Sequence, residues 1–389
     1  MRTAIVIGAI AAWAIQSALA VPCTRDYTGI SMPQEVKKME EKYQASIQAA
    51  VKQSTSCTEE NLLVRRSWDD LTDPQRHDYI RAVKCLAASP GTVDKALAPG
   101  IVNRLDGFTY IHINQTNTIH NSGSFLPWHR LFIWRMEQAL RDECGYEGAL
   151  PYWDIARFSP DQTASKVWDG SMTSFGGDGE YLADAHGPFA VIIPGLAINL
   201  TTQWPAGTGG GCVQDGPFAD FTVSLGPVDK PYVNATNKYG YEANPRCLRR
   251  NFDPASSAAL SWDAAAEVLR SPDIATFRRT MDDIWHRPSH AFIGRDGIDL
   301  FTSPNDPAFY LLHAQVDRLW AIWQGQDLEA REYAVYGNRT FEGIPLDTAP
   351  TAPPSNVTLD DVMDLGGGYR PLVKEGLSMT EGARCYVYA

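Results

Sequence analysis

Apolar residues recur at helical spacing in the first part of the chain, between stretches of Glu, Lys, Gln and Arg. This pattern predicts a helix over residues 33–52 and a second that follows the turn signal Thr72-Asp73-Pro74. A third helix is predicted to begin near Pro127, because proline is tolerated in the first turn of a helix. Its apolar face is formed by Leu131, Phe132, Trp134, Met136 and Leu140. His129 then lies near the start of that helix and faces the same interior.

The pattern changes over residues 157–250, where Gly, Pro, Asp and Thr predominate. Such a composition predicts a long irregular region, which we expect a bond between Cys212 and Cys247 to hold down. His186 lies within this region without another histidine nearby, which favours a surface or loop role. Helical spacing returns from about residue 261 to residue 332, and the tail from residue 333 is predicted to be loop and short strand.

The N-terminus is typical of a secretory signal peptide. An apolar run follows Arg2, and Ala18-Leu19-Ala20 supplies a small-residue cleavage pattern, so we expect residues 1–20 to be removed and residues 21–389 to form one secreted domain. Seven cysteines and five glycosylation sequons fit an oxidising compartment, with one cysteine left over if the others pair. The cysteines are Cys23, Cys57, Cys85, Cys144, Cys212, Cys247 and Cys385, and the sequons begin at Asn114, Asn199, Asn234, Asn338 and Asn356.

Composition and charge narrow the choice of partners. A hydrophobic content of 44% and a charged content of 21% describe an ordinary globular protein. A net charge of −12 argues against nucleic acid and anionic membranes as partners. After the signal, the sequence has no apolar stretch long enough to span a bilayer.

Three of the eight histidines, His112, His120 and His129, lie within one aromatic-rich stretch. A single buried histidine is more often a satisfied core residue than a ligand. Three within eighteen positions favour a metal site. The neighbouring sequon at Asn114 is the one that we least expect to carry a glycan.

A second group of three lies in the returning helical region. His286 and His290 are four residues apart, so one helical face can present both rings to one ion. Pro288 lies between them and can place the pair across a helix start. His313 follows, early in an apolar helix that begins after Ser303-Pro304-Asn305-Asp306-Pro307.

Imidazole sets without cysteine or carboxylate suit Cu, Zn, Fe or Ni better than Mg or Ca. A zinc hydrolase of the HExxH type is disfavoured, because Arg287 stands where that motif has its glutamate.

The two histidine groups, with their surroundings FLPWHR, PYWD and SPNDPAFYLLHAQVDRLW, resemble the type-three copper family of tyrosinases, catechol oxidases and hemocyanins. The resemblance runs from about Cys57 to the C-terminus. It implies a mainly α-helical single domain, in which a central four-helix bundle holds two copper ions, with long irregular loops and a few short strands. By resemblance, His112, His120 and His129 bind copper A, and His286, His290 and His313 bind copper B. Tyr386 and Tyr388 are similar to a family motif that packs near an N-terminal arginine such as Arg66. We expect the protein to lack the C-terminal shielding domain that many relatives of this family carry.

The resemblance also implies an activity: oxidation of ortho-diphenols to ortho-quinones with O₂ as co-substrate. Small phenols and O₂ are then the partners. A full tyrosinase that also hydroxylates monophenols remains an alternative. An O₂ carrier of the hemocyanin type, a non-catalytic secreted binding protein and a mononuclear zinc hydrolase are further alternatives of other classes.

Besides Arg287 and Asp282, four residues around the histidines are candidates for other roles. Asp317, four residues after His313, is predicted to orient that ring by helical spacing and family pattern. Phe309 is expected to pack beside a copper-B imidazole. Leu312 replaces a histidine that relatives often have and suggests an apolar pocket wall. Leu300 lies near the family's gate position and suggests an open entrance.

Arg287 differs from the residue that many tyrosinases have at this position, and this difference has the clearest consequence for which phenols are oxidised. Many tyrosinases have an asparagine there, paired through water with a glutamate that is thought to deprotonate monophenols, and the nearest acids here are Asp282 and Asp283. Because a guanidinium cannot accept a hydrogen bond, Arg287 either attracts an anionic substrate or pairs with Asp282 and blocks the base. We therefore expect little or no monophenol hydroxylation.

Overall fold

A computed structural model describes residues 29–185, 189–197, 200–204, 206–228, 240–351 and 353–389. The predicted signal peptide, Cys23, His186, Asn199 and Asn234 lie outside the described residues. The chain is mainly α-helical, as predicted. Its α-helices are α1 (Gln34–Gln53), α2 (Asp73–Ala88), α3 (Arg104–Ile119), α4 (Phe125–Cys144), α5 (Pro254–Ala259), α6 (Trp262–Leu269), α7 (Ile274–Thr280), α8 (Arg287–Ile293), α9 (Ala308–Gly325) and α10 (Leu328–Arg331).

The strands are short and pair in twos. They are β1 (Leu63–Arg65), β2 (Gly179–Tyr181), β3 (Phe189–Ile193), β4 (Leu200–Trp204), β5 (Gly210–Val213), β6 (Thr222–Val223), β7 (Arg246–Cys247) and β8 (Tyr386–Tyr388). The pairs β2–β5, β3–β4 and β6–β7 are antiparallel and lie in the irregular region. The pair β1–β8 is parallel and joins the two ends of the fold.

Helices α4 and α9 pack against each other at the centre of the molecule, with α3 against α4 and residues 281–286, just before α8, against α9. Helix α4 packs against α2, α3 and α9 along its apolar face, and α9 is buried along its whole length. The predicted helix starts are confirmed: α2 begins after Thr72, whose N–H donates to the Gln75 side chain at 2.9 Å, and Pro127 lies in the first turn of α4. Polar side chains on a helix that is buried on all sides need partners inside the protein. His313 on α9 therefore requires an internal partner.

Helix α8 is the continuation of a longer helical stretch. A wider, π-helical turn over Met281–His286 connects α7 to α8 and ends just before Pro288. The prediction that Pro288 places the pair across a helix start is confirmed, because Pro288 lies in the first turn of α8, and His286 and His290 lie on consecutive helical turns. Turns of this kind often occur at functional sites.

Three disulfides tie the loops and ends to the helices. Cys57 bonds to Cys385, Cys85 to Cys144, and Cys212 to Cys247. The prediction that Cys212 and Cys247 hold the irregular region is confirmed. In the described part of the chain, no helix is both long enough and apolar enough to cross a membrane.

A buried charge cluster joins β1, α4, α9 and β8. Arg65 bonds to Glu137 at 2.6 Å and to the Tyr388 hydroxyl at 2.9 Å, and its guanidinium lies 3.5 Å from the centre of the Tyr386 ring. The prediction that Arg66 meets the two tyrosines is therefore wrong by one position. Successive side chains of a strand point to opposite faces, so the register that pairs Arg65 with Tyr388 leaves Arg66 exposed.

Candidate metal centre

The first histidine group is positioned by α3 and α4. His112 lies inside α3, His120 follows its last residue, and His129 lies in the second turn of α4. The Nδ1 atoms of His120 and His129 lie 3.0 and 2.8 Å from the carbonyl oxygens of Thr116 and Phe125, each one turn earlier. His112 Nδ1 lies 2.8 Å from the carbonyl oxygen of Phe301. A carbonyl only accepts, so each Nδ1 carries the proton and each Nε2 presents a lone pair.

The second group is positioned by the π-helical turn, α8 and α9. The Nε2 atom of His290 lies 3.1 Å from that of His286 and 3.2 Å from that of His313, and the third distance is 3.4 Å. His290 Nδ1 lies 2.7 Å from the carbonyl oxygen of Gly297, which fixes its tautomer in the same way. Three lone-pair atoms therefore converge on one point.

The two groups face each other. The rings of His129 and His313 are stacked with their centres 4.4 Å apart, and those of His120 and His286 lie 6.4 Å apart. Phe309 packs 4.1 Å from His313 and 5.3 Å from His112, measured between ring centres. Phe309, which was expected to pack beside His286, His290 or His313, therefore lies next to one ring of each group.

Burial sets the charge of all six rings. It lowers the pKa of His120 to about 3 and of His290 to about 4, and it lowers the pKa of His112, His129, His286 and His313 well below the ordinary value. The rings are thus neutral at physiological pH, which is the form that binds a metal.

The donor atoms fit two metal ions. In each group, one nitrogen per ring lies within 4.8 Å of the others. The Nε2 atoms of His112 and His129 are fully buried and have no hydrogen-bond partner among the described residues. A buried nitrogen lone pair without a partner is costly unless a ligand fills the gap. Six neutral imidazoles match copper, and the sequence-predicted ligands all come together.

Asp317 does not orient His313. Its carboxylate accepts hydrogen bonds from Arg130 at 2.6 Å, Tyr386 at 2.7 Å and Tyr388 at 2.6 Å, and His313 Nδ1 has no hydrogen-bond partner among the described residues. The prediction from helical spacing is wrong, because the Asp317 carboxylate points away from His313 and pairs with the buried Arg65 and Arg130 of the charge cluster.

Asp282 and Arg287 lie beside the second histidine group. Asp282 Oδ1 lies 3.3 Å from His286 Nδ1, and Oδ2 lies 3.3 Å from Arg278. Burial raises the pKa of Asp282 to about 7, although Arg278 and Arg287 oppose the shift. Arg287 is half exposed and pairs with Asp283 at 3.4 Å, so the proposed alternative of a pair with Asp282 is wrong. Asp282 faces inward because its partners, His286 and Arg278, lie one turn away on either side.

Leu300 and Leu312 have different environments. Leu300 is half-buried and follows the segment that accepts the His290 hydrogen bond. Leu312 is fully buried in the main core and has no solvent-facing surface.

Sequence reasoning missed the two acceptors outside the ligand helices, the carbonyl groups of Gly297 and Phe301. Backbone acceptors are available at every residue, so no side-chain signal could have identified these two. One histidine in each group is therefore oriented by a backbone carbonyl, and the amino-acid types at these two positions do not indicate this role.

Comparison with known proteins gives one consistent result. A family model described as the common central domain of tyrosinase matches residues 102–326. The chain is 40% identical over 319 residues to the Tyrosinase-like protein orsC of Emericella nidulans, covering 79% of this chain and 86% of that protein. It is 39% identical to Tyrosinase P of Aspergillus terreus, covering 84% of this chain and 91% of that protein. A solved structure of a mutant polyphenol oxidase from Thermothelomyces thermophila is similar, with a TM-score of 0.78, 35% identity, and coverage of 92% and 99%.

Proposed function

Because the chain belongs to the tyrosinase family of copper oxidoreductases, we propose that it uses two copper ions and O₂ to oxidise ortho-diphenols to ortho-quinones. We further propose that it hydroxylates monophenols weakly or not at all. The observation that carries the proposal is the pair of facing histidine groups, whose lone pairs converge in a buried space.

The chain's own residues supply the setting for this chemistry. His112, His120 and His129 would hold one copper and His286, His290 and His313 the other, and the two ions together would accept and pass on the two electrons that separate a diphenol from a quinone. Backbone carbonyls fix the tautomers of four rings, so no proton has to move before the metal binds. Phe309 is buried between the groups and contributes an apolar ring to the interior.

The preference for diphenols is supported by the surroundings of His286. Hydroxylation of a monophenol needs a group that takes the phenolic proton near the metal. Asp282 is the nearest buried carboxyl, and it already lies against His286 and Arg278. Arg287, the residue after His286, has only hydrogen-bond donors, and its guanidinium pairs with Asp283 at the protein surface. Arg287 therefore adds no base to the site.

Oxygen uptake by the copper-loaded protein tests the proposal. We expect rapid uptake with catechol and with a catechol that carries a short side chain, and slow uptake with the matched monophenol. Equal rates on both would point to a full tyrosinase. Reversible O₂ binding without turnover of either substrate would point to an oxygen carrier and overturn the assignment.

We also propose that the protein is secreted and glycosylated. The predicted signal and the three disulfides support an oxidising compartment. Asn356 is exposed and Asn338 is half-buried, and the two residues face each other in an antiparallel bridge. Asn356 is therefore the better acceptor of the two. Mass spectrometry of the secreted protein before and after glycosidase treatment would show whether Asn356 is modified.

A further inference from the structure

Two ligands, one from each copper group, are oriented by the same short segment. His290 Nδ1 donates to the carbonyl of Gly297 at 2.7 Å, and His112 Nδ1 donates to the carbonyl of Phe301 at 2.8 Å. We call residues 295–301 the bridging segment. His120 and His129 use carbonyls of their own helices or helix ends instead. The bridging segment lies between α8 and α9 and carries no copper ligand itself.

A buried carboxylate holds the Phe301 end of the bridging segment. Asp299 is 1% exposed, and its Oδ1 accepts hydrogen bonds from the N–H groups of Phe301 and Thr302, both at 2.9 Å. Its Oδ2 accepts from the N–H of Val228 in the irregular region at 2.7 Å. Asp299 therefore ties the segment to itself and to a separate part of the chain.

The hydrogen bond to Thr302 determines where the Phe301 carbonyl points. The C=O of Phe301 and the N–H of Thr302 belong to one peptide group, which is planar and trans. Asp299 holds the N–H side of this plane, while His112 donates to the C=O side. A rotation of the plane that breaks one contact therefore weakens the other.

A second buried carboxylate holds the Gly297 end. Asp296 accepts from the N–H of Arg249 at 2.9 Å and forms an ion pair with Arg246, which belongs to β7 beside Cys247. The segment also packs tightly on α8, since a Cβ at Gly297 would lie 2.3 Å from Ile293 Cγ2. The irregular region therefore anchors the segment at both ends, and packing on α8 restrains Gly297.

We propose that Asp299 is a positioning residue for the dinuclear centre: by anchoring the bridging segment through Phe301, Thr302 and Val228, it keeps the Phe301 carbonyl directed at His112 and restrains the nearby Gly297 carbonyl to which His290 donates. This proposal rests on the proposed copper function. Because the segment serves both groups, loss of the Asp299 carboxylate weakens binding of both ions together. Leu300 is part of the same segment, so a change in the position of the segment also moves this side chain.

Asp299→Asn tests this role. The amide keeps the size of the side chain, but one of its two ends can no longer accept, so the contact to Val228 or the contacts to Phe301 and Thr302 are lost. Copper retention by the folded protein is measured by titration with EDTA, with copper counted per chain by mass spectrometry. We expect both ions to be released at an EDTA concentration lower by about tenfold or more, the range found for residues that orient metal ligands. We also expect a raised KM for catechol at the copper content of the wild type.

Asp69→Asn is the matched control. Asp69 is also buried and accepts from the Lys166 N–H at 2.7 Å and the Ser165 hydroxyl at 2.9 Å, and it is not among the residues of the centre. Its replacement should lower the free energy of unfolding and leave copper retention unchanged. If Asp299→Asn fails to fold, Asp296→Asn replaces it, with the same joint release of both ions expected.

The outcomes separate this proposal from the proposed function. A wild-type protein that binds no copper would contradict both the proposed function and the positioning role of Asp299. A wild-type protein that binds two ions, together with Asp299→Asn and Asp296→Asn variants that retain copper as the Asp69→Asn control does, would overturn the positioning role alone. Release of only one ion from the variants would also overturn it, because the bridging segment orients a ligand in each group.

Discussion

Replacement of Asp317 by asparagine should destabilise the fold without disturbing the metal centre. Asp317 belongs to a buried cluster of two arginines and two carboxylates, Arg65, Arg130, Glu137 and Asp317, whose side chains are at most 3% exposed. The formal charges of the four groups sum to zero. Asp317→Asn removes one negative charge and leaves Arg130 without its anion.

The magnitude follows from what remains behind. Removal of one partner of a buried ion pair costs about 3–5 kcal/mol, because the other charge stays buried and uncompensated. The hydroxyl groups of Tyr386 and Tyr388 also lose a charged acceptor, and hydrogen bonds of that kind contribute about 1.5–3 kcal/mol each. These contributions share the same carboxylate and cannot be added. We therefore expect a loss of about 3–5 kcal/mol in the free energy of unfolding.

Equilibrium unfolding in guanidinium chloride, with the disulfides intact and tryptophan fluorescence as the signal, measures this loss. Asp361→Asn is the control, because Asp361 pairs with Arg339 at the surface and its loss should cost less than about 1 kcal/mol. Folded Asp317→Asn protein should keep the copper content of the wild type. A loss no larger than that of the control, or a loss of copper from protein that remains equally stable, would refute the reasoning and restore Asp317 to a role beside His313.

Three further predictions concern the site. Arg287→Asn should raise the rate with monophenols relative to catechols, since asparagine can accept a hydrogen bond where arginine cannot; an unchanged ratio in oxygen uptake would remove Arg287 from the account of substrate choice. Leu300→Phe should raise KM for bulky catechols while copper content stays constant, and an unchanged KM would show that Leu300 does not border the entrance. The free energy of unfolding of the copper-free protein should decrease as pH falls from about 6.5 toward 4, because the histidines of the unfolded chain take up protons that the buried His120 and His290 do not. Each of these two rings should account for a loss of about 1.4 kcal/mol per pH unit. Guanidinium unfolding at pH 7 and pH 5.5 measures that change, and equal stability at the two values would contradict neutral buried rings.

The metal ligands could be predicted from the sequence because their arrangement is largely local. His286 and His290 are one helical turn apart, and His129 and His313 each lie early in an apolar helix that has a proline at or near its start. Local spacing determines which face of a helix such rings share. The resemblance to a known family then brought the two groups together, which spacing alone could not do.

The errors arose where long-range pairing decides which neighbour faces inward. Arg65 and Arg66 have the same chemistry, and only the register between β1 and β8, about three hundred residues apart in the chain, selects Arg65. Asp282 and Asp283 are likewise adjacent, and the π-helical turn directs the first to His286 and the second to Arg287. The bridging segment was not predicted at all, because its acceptors are backbone carbonyls.

Copper analysis of the purified protein tests the central claim most directly. We predict two copper ions per chain in the wild type and about one in each of the variants His120→Gln and His313→Gln, because each substitution removes a ligand from one group only. One zinc ion per chain, or no bound metal in a folded wild-type protein, would contradict the assignment of six imidazoles to a copper pair.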